Sequence, residues 1–142
     1  NSDIKIREAT SVFDYLFLRR LRNQVRNQMT NSTAPVGYLQ QLRFYFRGSP
    51  GVKLYIGWIG AKRAGYLLLR HESATCYITE AVDECFRRAG VASRMIDFAK
   101  GSCADLTAEI LLENTASINL HQTAGFQRSG GDGRIATYRF RR

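Results

Sequence analysis

Val82-Asp83-Glu84-Cys85-Phe86-Arg87-Arg88-Ala89-Gly90-Val91-Ala92 joins the end of a strand to the start of a helix through a basic loop. Upstream, Cys76, Ile78, Glu80 and Val82 recur at every second residue, the period of a strand. After the loop from Asp83 to Ala89, Gly90 opens a helix whose buried stripe is Val91, Met95 and Phe98 or Ala99. Arg94, Asp97 and Lys100 face outward, and the helix ends near Gly101. The first turn of a helix leaves backbone N–H groups unpaired, and these groups together with the helix dipole favour an anion such as pyrophosphate. Gly90 and Ala92 let a ligand come close to the backbone, while Arg87, Arg88 and Arg94 supply positive charge. The loop has neither the Gly-Lys-Ser/Thr of a Walker motif nor three spaced glycines, which argues against nucleotide hydrolysis and hydride transfer.

Outward from this loop the chain alternates helix and strand. Ile4 and Ile6 predict a short strand, and Thr10 or Ser11 a helix cap. Phe13, Phe17, Leu21, Val25 and Met29, with Leu18, predict an amphipathic helix, and a second, shorter one runs from Tyr38 to Phe46 beyond Pro35. Val52 to Arg70 reads as a β-hairpin turning at Gly60 to Arg63, followed by a His71-Glu72-Ser73 turn into the strand that ends at Val82. Beyond the Gly90 helix, Thr107, Glu109, Leu111 and Glu113 alternate with Ala108, Ile110, Leu112 and Asn114 as a further strand. A short helix from Ala116 to Thr123 leads through Gly125-Phe126 into a last strand pair that turns at Gly130 to Gly133. The order β-α-α-β-β-β-α-β-α-β-β is that of one mixed α/β domain over residues 1–142, with no internal repeat or linker.

Composition narrows the function classes. The chain has 142 residues, 44% of them hydrophobic, and only two prolines, so it can bury a core and is not a disordered tail. Its apolar runs are too short to cross a bilayer, which needs roughly 20 residues. Of 21 basic residues 17 are arginine and the formal charge is +9, a balance that favours an anionic partner. The arginines are interspersed with acids, however, which weighs against nucleic acid. Cys76, Cys85 and Cys103 form no Cys-x-x-Cys pair and have two histidines for company, so their spacing suggests neither a disulfide framework nor a zinc site. Reduced structural thiols in a cytoplasmic protein are expected.

Arg87-Arg88-Ala89-Gly90-Val91-Ala92 resembles the Gln/Arg-x-x-Gly-x-Gly/Ala signature of the GNAT superfamily of acyl-CoA-dependent N-acetyltransferases. Downstream, the run from Asn114-Thr115-Ala116-Ser117-Ile118-Asn119-Leu120-His121 to Gly125-Phe126 is similar to that family's second motif, Asn-x-x-Ala/Ser-Ile-x-Leu-Tyr-x-x-x-Gly-Phe. The resemblance implies an α+β fold with a mixed central sheet of six to seven strands flanked by about four helices. It implies acetyl-CoA as co-substrate, its pyrophosphate on the backbone of Arg87, Arg88, Ala89, Gly90, Val91, Ala92 and Ser93, and its pantetheine between strands ending at Val82 and Asn114. Asn114 has two readings that stay open, a hydrogen bond to the pantetheine or a cap on the helix that follows.

The chain departs from the family at His121, where a tyrosine usually protonates the departing thiolate. Imidazole is chemically able to do the same, with a surface or packing histidine as the alternative. An ammonium acceptor must lose a proton before it attacks, and Glu80 is the leading general base, with an ordinary sheet-surface carboxylate as the alternative. The oxyanion would be held by a backbone N–H of the Ile78 to Glu80 strand. Acceptor contacts are expected from the N-terminal helices and the loop between them, around Arg22, Asn23, Arg26 and Asn31 to Tyr38, where Leu21 to Arg26 is similar to an element in enzymes that acetylate nucleotide-linked amino sugars; a solvated helix face is the alternative for these arginines. The leading expectation is direct acetyl transfer to a small primary amine, without a metal or a membrane and in a chain that a homodimer would suit. The alternatives are a non-catalytic acyl-CoA-binding regulatory module, acetylation of a protein N-terminus or lysine, and a basic nucleic-acid binder.

Overall fold

Alternating apolar residues draw seven strands into one sheet in the residues that the structure, a computed structural model, describes: 3–24 and 51–142. The strands are β1 (Ile4–Glu8), β2 (Val52–Ile59), β3 (Lys62–Glu72), β4 (Thr75–Val82), β5 (Asp105–Leu111), β6 (Gln127–Gly131) and β7 (Ile135–Arg141). Among the described residues three helices accompany them, α1 (Val12–Gln24), α2 (Val91–Ser102) and α3 (Thr115–Thr123), with a 3₁₀ turn at Glu84–Phe86. The second helical pattern, Tyr38 to Phe46, lies outside the described residues, as do Val25 and Met29 of the first.

The sheet order is β1-β2-β3-β4-β5-β7-β6. Every neighbouring pair is antiparallel except β4 and β5, which are joined by the α2 crossover and run parallel. That parallel pairing holds at only two positions, Cys76 opposite Leu106 and Tyr77 opposite Thr107.

Strand alternation sorts the core onto two faces. Leu67, Leu69, Cys76 and Ile78 pack with Val91, Met95, Ile96 and Ala99 of α2 on one face. Leu54, Ile56 and Tyr66 pack with Phe17, Leu18 and Leu21 of α1 on the other. Each fully buried aliphatic chain contributes roughly 1.5–3 kcal/mol, so these two clusters fix both helices against the sheet. Close seating of α2 depends on a cross-strand pair of glycines, Gly57 opposite Gly65. A Cβ at Gly57 would stand 3.1 Å from Val91 Cγ1, and one at Gly65 would stand 2.5 Å from the Ala81 carbonyl oxygen.

Three expectations are corrected. Phe13 is 68% exposed, and the buried residue of the first turn is Asp14. Ser11 and Asp14 form a reciprocal cap: Asp14 N–H donates to Ser11 Oγ at 3.2 Å, and Ser11 N–H donates to Asp14 Oδ2 at 3.2 Å. Arg63 Nε adds a 2.8 Å bond to Asp14 Oδ1, so the acid is buried because it is fully bonded. Second, β5 ends at Leu111, which leaves Leu112 exposed and takes Asn114 off the strand. The reason is a turn, since Asn114 N–H donates to the Leu111 carbonyl at 2.9 Å. Third, His71 is not in a turn: β3 runs on to Glu72, and His71 sits opposite Cys76.

Candidate active site

Because β4 and β5 pair only near their starts, at Cys76 and Tyr77, they diverge beyond Tyr77, and the edge of β4 from Ile78 to Val82 has no ladder partner toward β5. A cavity of about 750 Å³ opens in this split. Ile78 to Val82 line one wall and Ala108, Glu109 and Ile110 the other. Backbone groups along a free strand edge are ready to bond an extended amide-bearing ligand.

The basic loop closes one end of the cavity. Asp83 anchors it: the buried carboxylate accepts Cys85 N–H at 3.0 Å and Arg20 Nη2 at 3.2 Å, while Asp83 N–H donates to the Ala64 carbonyl at 2.7 Å. The Cys85 bond first, then the Arg20 charge, outweigh burial and hold the Asp83 pKa below 3.8. Arg88 adopts φ 69°, unusual for a residue with a side chain, and Gly90 has φ 88°. Gly90 is the N-cap of α2 and provides no side-chain cap, and the first turn closes with Arg94 N–H on the Gly90 carbonyl at 3.1 Å. The N–H groups of Val91, Ala92 and Ser93 therefore lack intrahelical partners and stand beside two arginines, an arrangement suited to an anion. Val82, Arg87, Arg88, Gly90, Val91, Ala92 and Ser93 all line the cavity. Ala89 packs against the core instead.

Glu80 and His121 meet inside the split. The β3–β4 register is unbroken, so Glu80 keeps the face of Cys76, Ile78 and Val82 that the alternation predicts. His121 is 2% exposed, stands edge-on to Phe126 with ring centroids 5.1 Å apart, and donates from Nδ1 to the Ser117 carbonyl at 2.7 Å. That bond points Nε2 toward Glu80, whose Oε1 lies 2.8 Å away. The two atoms lie off the line of a hydrogen bond, so the contact acts chiefly through charge. Burial pulls the imidazole pKa down, but the Glu80 charge and contact, with the Ser117 carbonyl, more than offset it, and the pKa is raised above 6.5. Glu80 Oε2 is buried and has no hydrogen-bond partner among the described residues. The pair thus places an imidazole ring and an unbonded carboxyl oxygen side by side in the cavity lining.

Other expected residues divide. Asn114 caps α3, its side-chain oxygen accepting Ser117 N–H at 3.2 Å, and it also borders the cavity. Arg22 lines the cavity, whereas Asn23 lies in a separate shallow groove with Arg19 and Arg20. Arg26 falls outside the described residues. Tyr66, Leu18 and Arg70 line the cavity without having been predicted. Tyr66 is 2% exposed, and burial raises its phenol pKa, opposed by Arg22 and reinforced by Glu80. In the run Gly65 to Leu69 nothing separates it from an ordinary core aromatic.

The open parallel pair, the helix start without a side-chain cap and the buried Glu80–His121 pair share one cavity. Residues 19–126 match the acetyltransferase (GNAT) family, and the chain belongs to that family of N-acetyltransferase enzymes. Among solved structures it is similar to spermidine N-acetyltransferase from Vibrio cholerae in complex with CoA and spermine, at TM-score 0.86 and 13% identity over 99% of this chain and 96% of the other. It is also similar to an N-acetyltransferase from Staphylococcus aureus Mu50, at TM-score 0.81 and 19% identity over 97% and 98%. A third, yncA, a putative acetyltransferase from Salmonella typhimurium with acetyl-CoA, gives TM-score 0.74 and 18% identity over 98% and 94%. These likenesses establish the α+β fold. No curated protein matches the sequence. Among the described residues no helix is long and apolar enough to cross a membrane.

Proposed function

We propose that the protein transfers acetyl from acetyl-CoA directly to a small primary amine. The observation that carries this reading is the cavity between β4 and β5, with unpaired helix N–H groups at one end and the Glu80–His121 pair in its wall. The pyrophosphate lies on the N–H groups of Val91 to Ser93, with Arg87 and Arg88 as countercharge, and the pantetheine amides bond the free edge of β4. The ammonium acceptor gives a proton to Glu80 Oε2. Its nitrogen then attacks the thioester carbon, and a β4 backbone N–H between Ile78 and Glu80 holds the oxyanion. Collapse expels the CoA thiolate, which takes a proton from the Glu80–His121 pair, and one proton is released to solvent overall. His121 thereby serves where the family usually has tyrosine. Two of the structural relatives are described with CoA or acetyl-CoA bound, which supports this choice of co-substrate.

The acceptor is a small amine that also carries an anionic group, a class that includes nucleotide-linked amino sugars. Arg22 and Arg70 line the cavity together with Leu18, Tyr66, Glu80 and Glu109, Arg70 being also paired with Glu72. A polyamine would meet these arginines unfavourably, whereas a carboxylate or phosphate would bind them. A thiol-release assay with acetyl-CoA over a panel of polyamines, amino acids, amino sugar phosphates and sugar-nucleotide amines tests this. Turnover confined to the anionic amines supports the acceptor class, turnover of spermidine alone overturns it, and CoA binding without release from any amine favours a regulatory module.

A further inference from the structure

At the closed end of the β4–β5 split, the fold gathers three side chains that the sequence scatters over positions 71, 76 and 103. Cys103 Sγ lies 3.1 Å from Cys76 Sγ, and Cys76 Sγ lies 3.9 Å from His71 Nε2. All three donor atoms lie within 4.8 Å of one another. Each comes from a different element: His71 from β3, Cys76 from β4, and Cys103 from the C-cap of α2. Cys76 is 4% exposed, Cys103 half-buried and His71 exposed, so the cluster has a dry floor and an open mouth. None of the three lines the catalytic cavity.

We propose that His71, Cys76 and Cys103 form a binding site for a thiophilic divalent cation of the zinc class, separate from the acetyl-transfer site. Two sulfurs and one imidazole nitrogen are the donor set such ions select, and among the described residues three protein ligands leave a fourth position at the exposed mouth. Tetrahedral bonds of about 2.3 Å to sulfur place two thiolates roughly 3.7 Å apart. The sulfurs need only open by about half an ångström to reach that spacing. A disulfide would require them to close by about one ångström, and it would leave the convergent imidazole without a role. Binding replaces the two thiol protons, which leave for solvent, so the Cys₂His–cation unit carries no net charge.

The position gives the site a consequence. Cys76 is one of two β4 residues that hold the parallel pair with β5, and the catalytic split opens immediately beyond. A cation there ties β3, β4 and α2 together at the apex of the split, bracing the strand that carries Glu80.

The test uses the full chain, reduced, with the exposed Cys85 replaced by Ser (C85S) so that it cannot compete. Titration with Cd²⁺ should give a cadmium–thiolate ultraviolet charge-transfer band saturating at one equivalent, and Zn²⁺ should displace it and raise Tm. Cys103→Ser and His71→Gln, at the half-buried and exposed positions, should keep the apo Tm within a few degrees yet lose the band or its saturation at one equivalent. The proposal is overturned if the C85S protein shows no band, if either variant binds Cd²⁺ as C85S does, or if reduced protein ignores both metals and instead forms a Cys76–Cys103 disulfide with oxidised glutathione. None of these readouts requires acetyl transfer, so the site stands or falls apart from the catalytic reading.

Discussion

Glu80 Oε1 and His121 Nε2 stand 2.8 Å apart, so the two side chains the sequence suggests for opposite proton-transfer roles are neighbours in one buried pair. Their chemistry is coupled, and replacing one changes the other. Glu80→Gln removes the proposed general base, and kcat should fall by about 10²–10⁴-fold while KM for acetyl-CoA changes little, because the proposed pyrophosphate loop is untouched. The same variant should move the His121 pKa. In the wild type it lies above 6.5 because the Glu80 charge overrides burial. With that charge gone, burial dominates and the value should drop below 6.5. Imidazole proton shifts followed by NMR across a pH titration measure both, and an unmoved His121 pKa in Glu80→Gln would contradict the pairing.

The pair also sets a pH dependence of stability. His121 binds its proton more tightly folded than unfolded, so its contribution is full below the unfolded value of 6.5 and is lost as pH rises through the folded one. Urea midpoints of the wild type should therefore decline through and above neutrality relative to those of His121→Gln, with the difference between the two flat at lower pH. Equal slopes for both proteins would show that the imidazolium is not stabilised by the fold.

Asp83 anchors the loop through two separable contacts, and two substitutions distinguish them. Asp83→Asn keeps an oxygen to accept Cys85 N–H but loses the charge that faces Arg20, which is half-exposed and so contributes at most about 1 kcal/mol. Asp83→Ala loses both and leaves Cys85 N–H without its partner. The alanine variant should lose about 1–2 kcal/mol of stability, in the range of a lost cap, and raise KM for acetyl-CoA several-fold. The asparagine variant should stay near wild type in both. Calorimetric titration of CoA and urea unfolding check the split, and equal damage from the two would assign the effect to Arg20 instead.

The succession of strands and helices along the chain and the start of α2 are legible in the sequence because each rests on a local signal. Alternation marks β4, and Gly90 followed by small residues marks the start of α2. What the sequence hides is non-local. Asn114 continues the alternation of β5 on paper, but the Leu111 turn removes it from the strand, and the competition between turn and ladder is decided by a bond that no pattern reveals. Phe13 fits the helical period, yet Asp14 takes the buried place because Arg63, 49 residues away, completes its bonding. Tyr66 and Arg70 line a cavity that opens where β4 and β5 part, and that parting depends on a pairing only two residues long. His71, Cys76 and Cys103 converge only when β3, β4 and α2 are in place.

The glycine pair beneath α2 links packing to cofactor binding, and its two members should respond differently to alanine. At Gly65 the added methyl meets the Ala81 carbonyl oxygen at 2.5 Å, a backbone atom in the β3–β4 ladder that cannot move without breaking register. At Gly57 it meets Val91 Cγ1 at 3.1 Å and Met95 Sδ at 3.3 Å. Those are side chains of α2, and the helix can yield by lifting slightly at its first turn. Overpacking of this kind costs about 1–3 kcal/mol, and Gly65→Ala should lie at or above the top of that range, seen as a lower urea midpoint. Gly57→Ala should cost less stability but displace Val91, whose N–H belongs to the proposed pyrophosphate site, and so raise KM for acetyl-CoA more than Gly65→Ala does per kcal/mol lost. If KM instead tracks stability alone in both variants, the seating of α2 on Gly57 does not set the position of the anion site.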